Sequence, residues 1–321
     1  MDMSQTEMDM SPKGPSLLRQ ERGHNNWEIG GEYTMKTKRV GLHTFMAVPA
    51  FLLFGLFFIW PLLQGLGMSL TDWDGISRAN FIGIQNFFDF FKDERALNDI
   101  KTTLLFALGS APLLNLAGLG YALLMNGSFR GKGMARAIIY LPAVISPLIM
   151  GYIWYLLLQP GRGFLFHALD LIGQSGLLGN WMDRYGVEMM VLIMVNVWQF
   201  AGMTMVIYTA GLQSISGELY EAAKIDGAGN WQRFRYITLP LLIPSIRINV
   251  VTNIIGSLSV FDVIMALTDG GPGYSTESLS IYIMRMCYGS KTGYSTAVAI
   301  IMFFIILVPV LVSMYLTKER E

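Results

Sequence analysis

Six stretches of this sequence run for 21 to 29 residues almost without charge, and they decide what the chain can fold into. They are His43–Leu66, Thr102–Met125, Ile138–Leu158, Val187–Gly211, Leu239–Leu267 and Tyr294–Leu316. An α-helix rises 1.5 Å per residue, so about 20 apolar residues cross the roughly 30 Å of a bilayer's hydrocarbon. Within that layer every backbone N–H and C=O needs a partner inside the segment, which selects helices over strands. Core helices of a soluble protein are shorter and keep a polar face, and these segments lack one. The predicted fold class is therefore all-α: a polytopic membrane protein with six transmembrane helices.

Charge placement orients the spans. Only 14% of the residues are charged, against about a quarter in soluble domains, so each Lys or Arg carries weight. With a cytoplasmic N-terminus, segments 1–42, 126–137, 212–238 and 317–321 lie inside and hold 14 Lys/Arg in 86 residues. The loops 67–101, 159–186 and 268–293 then lie outside and hold 8 in 89 residues. Lys and Arg resist translocation, so both termini are expected in the cytoplasm, with Lys36, Lys38 and Arg39 anchoring the first span. That span starts after 42 polar residues and is too long for a leader, so it is expected to be an uncleaved anchor. A net charge of zero points to no nucleic-acid partner. Cys287 is the single cysteine, and His24, His43 and His167 are isolated, so neither a disulfide nor a metal site is expected.

Along the chain, residues 1–42 read as a polar tail and 43–318 as one membrane domain. Phe87, Phe88, Phe90 and Phe91 suit a short helix at the outer interface. Gly109, Ala111, Gly118 and Gly120 suit close helix contacts in the second span. Pro142 and Pro147 are expected to break the third. Phe164–Ile172 reads as a short amphipathic piece between glycine-rich turns.

The segment 212–240 is the most specific. Ser216 can cap a helix over Glu218–Asp226, with Glu218 and Glu221 near its positive end. Leu219, Ala222, Ala223 and Asp226 fall at i, i+3, i+4 and i+7, a narrow face of small and apolar residues open to a partner. Gly227 and Gly229 end it, and Asn230 is placed to cap a second helix, Trp231–Thr238, before Pro240 opens the fifth span. Glu221-Ala222-Ala223, then Gly227, then Ile237-x-Leu239-Pro240 resembles the signature of the permease subunits of binding-protein-dependent ABC importers. Glu-Ala-Ala-x-Ile-Asp-Gly-Ala followed by Trp231-Gln232-x-Phe234 is similar to their carbohydrate-uptake branch. Ser69–Trp73, Phe81-Ile82-Gly83, Phe129-Arg130-Gly131, Leu141-Pro142 and Gly270–Gly273 extend the resemblance over about 43–318, although Thr102 stands where an asparagine would be expected.

That resemblance implies a non-catalytic transport subunit of a bacterial cytoplasmic (inner) membrane. Its partners would be a second homologous permease, two ATPase subunits, and a periplasmic or extracellular sugar-binding protein that delivers an oligosaccharide. Leu219, Glu221, Ala222, Ala223, Asp226, Gly227, Ile237, Leu239 and Pro240 would form the ATPase-coupling element. The chain would bind no cofactor, since ATP and Mg belong to the ATPase. In agreement, no Gly-x-x-x-x-Gly-Lys-Ser/Thr occurs.

In the fifth span Asn249, Asn253 and Ser257 recur every four residues, followed by Phe261 with Gly256 beside them. Amides, a hydroxyl and a ring suit sugar hydroxyls and C–H faces, and the resemblance puts the sugar site on this span. Interhelical hydrogen bonding explains the same residues, and both readings stand at this point. Arg247 and Asp262 are the clear intramembrane charges. Arg247 can snorkel to the inner end, and Asp262 is expected to meet water at the outer one. Arg285 and Lys291 read as solvated loop charges. An ion-coupled secondary sugar carrier is the alternative. It calls for inverted repeats and proton-relay carboxylates, which the sequence does not display, and an intramembrane enzyme would need a convergent acid/base or metal set. The sugar itself stays open among neutral oligosaccharides, uronate oligomers and glycerol-3-phosphate.

Overall fold

A computed structural model describes residues 42–127, 130–174, 176, 179, 181–184 and 186–317. The expected tail, its anchoring Lys36, Lys38 and Arg39, and Phe129 lie outside these residues. The chain divides into two compact units, Met1–Leu53 and Phe54–Glu321. In the first, the described residues belong to helix α1 (Leu42–Phe54), which includes Pro49.

The second unit opens with one π-helical turn, Gly55–Ile59, and α2 (Trp60–Met68). The same pairing recurs later, where the π turn Phe234–Thr238 precedes α11 (Leu239–Leu241). A proline follows each: Pro61 has no N–H for the carbonyl of Phe57, and Pro240 none for that of Tyr236. Its ring also crowds that carbonyl, and widening the turn by one residue relieves both defects. Trp60, Leu62, Leu63 and Leu66 on α2 are exposed, as are Phe303, Phe304, Val308 and Leu311 on the last helix. Apolar surface on this scale belongs against lipid or another subunit, not water.

The loop after α2 folds back on itself. Thr71 pairs with Phe81, which brings together the two fragments noted there in the sequence. The Asn80 side chain and its backbone N–H bind Asp72 at 3.0 and 2.7 Å, holding that carboxyl below the usual range. A short helix α3 (Gln85–Phe90) follows, as its aromatic run predicts.

α4 (Glu94–Asn126) is the spine of the unit. At 33 residues it is about 50 Å long, and it starts eight residues before the expected Thr102. The cap is Asp93, whose carboxylate accepts from the N–H groups of Arg95 and Ala96. Three buried clusters follow one another along it, around Ala96, Phe106 and Ala122.

The expected third span is two helices, α5 (Lys132–Val144) and α6 (Pro147–Leu158), bent by 96°. Pro147 occupies the first turn of α6, where a missing N–H costs nothing, while Pro142 sits inside α5 without ending it. After α7 (Phe164–Asp170), α8 (Val187–Ser214) packs along α4 and α5. A Cβ at Gly202 would lie 2.3 Å from the carbonyl oxygen of Ile139, so only glycine lets α5 lie this close.

α9 (Gly217–Ile225) and α10 (Asn230–Arg233) lead through the π turn to α11, and a 68° bend at Leu242 leads to α12 (Ile243–Leu258). The expected fifth span is therefore not continuous, for it also stops at Ser259–Phe261 before α13 (Asp262–Leu267). The hydroxyl of Ser259 turns back onto the Ile255 carbonyl, and Ser278 donates to the freed carbonyl of Val260 at 2.8 Å. α14 (Leu279–Tyr288) and α15 (Thr292–Leu316) complete the chain. Among the described residues four helices are long and apolar enough to cross a membrane, Ala47–Met68, α4, α8 and α15, and six if each bent pair is one span.

Candidate functional site

The break after α12 opens a cavity of about 240 Å³ between α8, α12 and the turn into α13. Asn249, Asn253, Gly256, Ser257 and Phe261 all line it, so the five residues singled out from the sequence share one wall. Phe261 reaches it differently from the expected four-residue stripe. It lies outside α12 in the irregular turn, with φ −138°.

The asparagines do bond across to a neighbouring helix. Asn249 donates to the Thr204 carbonyl on α8 at 3.3 Å, and the Asn253 amide meets the Thr204 hydroxyl at the same distance. These amides join two helices and border the cavity together. The buried hydroxyl of Ser257 finds no partner among the described residues. Gly256 faces open space, since an added Cβ would meet nothing within 4 Å. Sequence reasoning missed the opposite wall. Asn196, Phe200 and Thr204 lie there, spaced by four like the residues of α12, and that spacing was the available signal. Asp262, expected to meet water, lies on the wall as well.

The elbow 216–240 is built much as its residues dictate. Ser216 caps α9 by accepting from the Glu218 N–H at 3.3 Å. Gly227 has φ +78°, and the N–H groups of Gly227 and Ala228 close back onto the carbonyls of Lys224 and Ala223 at 3.2 and 2.8 Å. That is a glycine-terminated helix end in which the left-handed residue costs a glycine little. The second cap differs from expectation. Gly229 precedes the helix, Asn230 is its first residue, and the Gln232 side chain accepts from the Gly229 N–H at 2.8 Å. Ala223, Asp226, Gly227 and Ile237 line one hollow with Gln232 and Tyr236. Leu219 and Ala222 are exposed, as is Glu221 outside the hollow, while Leu239 and Pro240 belong to the turn of α11 beyond it. Ile225 is 86% exposed, so this chain covers little of the apolar side of α9. The hydroxyls of Tyr220 and Thr238 meet at 2.9 Å and tie α9 to the π turn.

A third cluster escaped the sequence. Glu277 is fully buried and takes Arg95 at 2.7 and 2.8 Å and Arg285 at 2.6 Å, and Arg285 also binds Asp269 at 2.8 Å. Arg285 is thus held in an ion cluster rather than solvated. Asp99 beside Glu277 and Glu188 at the start of α8 are buried too, so Arg247 and Asp262 are not the only charges to explain.

Helices long and apolar enough to cross a bilayer and a cavity along one broken helix suit a transport subunit. Residues 115–319 match the family described as "Binding-protein-dependent transport system inner membrane component", and the chain belongs to it. It is a multi-pass inner-membrane permease component of an ABC importer, and its part is translocation rather than catalysis. The chain is 34% identical to a probable starch degradation products transport system permease protein, AmyD, of Thermoanaerobacterium thermosulfurigenes, over 81% of this chain and 88% of that one. It also resembles a crystal structure of a bacterial ABC transporter involved in the import of the acidic polysaccharide alginate, with TM-score 0.74 and 27% identity over 87% of this chain and 96% of that one. A second crystal structure, of a bacterial alginate ABC transporter in complex with an alginate pentasaccharide-bound periplasmic protein, gives TM-score 0.74 and 27% identity over 88% and 95%.

Proposed function

We propose that this chain is a sugar permease in which α9 couples ATP hydrolysis in a partner to movement of the cavity wall. One observation carries the reading. The exposed hollow takes Ala223, Asp226 and Gly227 from α9 and its glycine end and Ile237 from the π turn, and from Ile237 the helices reach the cavity residues Asn249, Asn253 and Ser257 through one 68° bend at Leu242. Helices are stiff, so force that enters through the glycine elbow can be carried on from Ile237 to the cavity. The partners are a second homologous permease, two ATPase subunits that bind ATP and Mg, and a binding protein delivering the sugar. The periplasmic protein in the related alginate complex supports the last. Residues 43–318 act as one permease domain, with 212–240 and both termini in the cytoplasm, as the distribution of Lys and Arg supports. The hollow then faces the ATPase, and the cavity lies on the sugar path.

The test uses the whole complex. Ala223→Trp overfills the hollow, and overpacking costs roughly 1–3 kcal/mol in close-packed sites, so the ATPase should no longer co-purify. Gly227→Pro cannot keep φ near +78°. It should leave most association intact and lose the hydrolysis stimulated by loaded binding protein. Parental assembly and hydrolysis in both variants would remove α9 from the coupling role.

A further inference from the structure

The walls of the cavity carry information about charge. Asp262 is the only charged side chain among the described residues that line it, and the rest are amides, hydroxyls, rings and aliphatic groups. We infer that the cavity selects uncharged sugars, so that the passenger is a neutral oligosaccharide rather than a uronate oligomer or a sugar phosphate. The inference rests on the cavity being the sugar path.

The chemistry runs one way. An ionised carboxylate only accepts hydrogen bonds, and a neutral sugar offers hydroxyl donors at nearly every carbon. The amides of Asn196, Asn249 and Asn253 and the hydroxyl of Ser257 add neutral polar partners around it. A carboxylate or phosphate on the ligand would bring a second negative charge with no hydrogen to give. Recognition of such a group calls for guanidinium or ammonium donors, which form short, strong, charge-assisted bonds.

No arginine or lysine among the described residues lines the cavity, and three arginines of the helices are engaged elsewhere. Arg95 and Arg285 are committed to Glu277, and Arg136 donates to the Met125 carbonyl. Arg247 lies on α12 but is not part of the wall, although Asn249 and Thr252 are. Asp262 is also fixed in place. Its backbone sits at the start of α13, which packs on α6 where Gly151 lies against Ala266. The place of Asp262 on the lining is thus set by the backbone of α13.

The experiment keeps the assembled complex in lipid nanodiscs, replaces Cys287 by Ser, and places the reporter Gly256→Cys in the cavity. Two readings are taken. The first compares labelling by a cationic and an anionic methanethiosulfonate reagent, each relative to its rate with a free thiol. The Asp262 field should favour the cation by about tenfold, and Asp262→Asn should abolish the preference. The second measures protection by maltotetraose, by a mannuronate tetramer, and by the same tetramer with its carboxyls reduced. Maltotetraose or the reduced tetramer should slow labelling at least about threefold, and the charged tetramer should not. Protection by the charged tetramer equal to that by its reduced form, or faster labelling by the anionic reagent, would overturn the inference and leave the path intact. If no sugar protects while the cationic preference holds, the path reading fails, and the assignment of passenger falls with it.

Discussion

Glu277 shows how much one residue can hold that sequence spacing does not reveal. Its carboxylate joins Arg95, 182 positions earlier, to Arg285, eight positions later. No periodicity links residues so far apart, and a glutamate after a glycine-proline turn looks like loop chemistry until the fold buries it. Removing one member of a buried ion cluster leaves the others unpaired, at a cost of about 3–5 kcal/mol. Glu277→Ala should therefore lower the thermal stability of the purified complex sharply. Lys291→Ala, on an exposed residue of the same region, should leave it unchanged. Equal melting temperatures for the two variants would show the cluster to be incidental. The cavity residues were far more legible. Amides and hydroxyls at four-residue steps in an apolar run stand out because polar groups are costly in hydrocarbon, and the structure places all five on one wall.

At the scale of the helix, apolar runs located the elements well and misjudged their ends. α4 begins just after Asp93 because a carboxylate there satisfies two free N–H groups, but the charged turns that follow look like loop to any test of apolarity. The stop after Leu258 has no glycine or proline to announce it. It depends on Ser278, from a distant part of the chain, accepting the role of donor to Val260. Small residues were likewise seen without their facing. Gly118 lies against Thr204, whereas a Cβ on Gly120 would touch nothing. Gly120→Ala should thus add up to about 1 kcal/mol of stability, the usual gain when alanine replaces a helical glycine. Gly202→Ala should do the opposite, because the obstacle is the backbone of α5, which cannot rotate away. Melting curves of the two variants in detergent decide this, and stabilisation by Gly202→Ala would refute the close contact.

For the whole molecule, the six apolar stretches were sufficient for the class, and the family match agrees. Orientation rests on charge alone and calls for its own measurement. In a background lacking Cys287, an impermeant thiol reagent applied to intact cells should label a cysteine at Gly176 and spare one at Lys224. The reverse pattern would invert the topology.

The amide clamp between α8 and α12 also bears on how the chain enters the bilayer during synthesis. Segments reach the translocon in order, and each is partitioned by its own apolarity plus whatever helix already waits there. α12 carries Arg247, Asn249 and Asn253; an arginine costs at most about 2.5–3.5 kcal/mol on insertion scales, its value at a segment's centre, and the two amides add to that. By itself it is a poor signal for integration. α8 is made earlier and presents the carbonyl and hydroxyl of Thr204, to which both asparagines bond. We expect segment 239–267 to integrate incompletely when translated alone into microsomes with flanking glycosylation sites, and more fully behind segment 187–214. Thr204→Val removes one bond of the clamp. It should lower the integrated-to-translocated ratio about threefold, the equivalent of roughly 0.6 kcal/mol for one interhelical hydrogen bond. Full integration of 239–267 in isolation would mean that its polar residues await assembly rather than a companion helix.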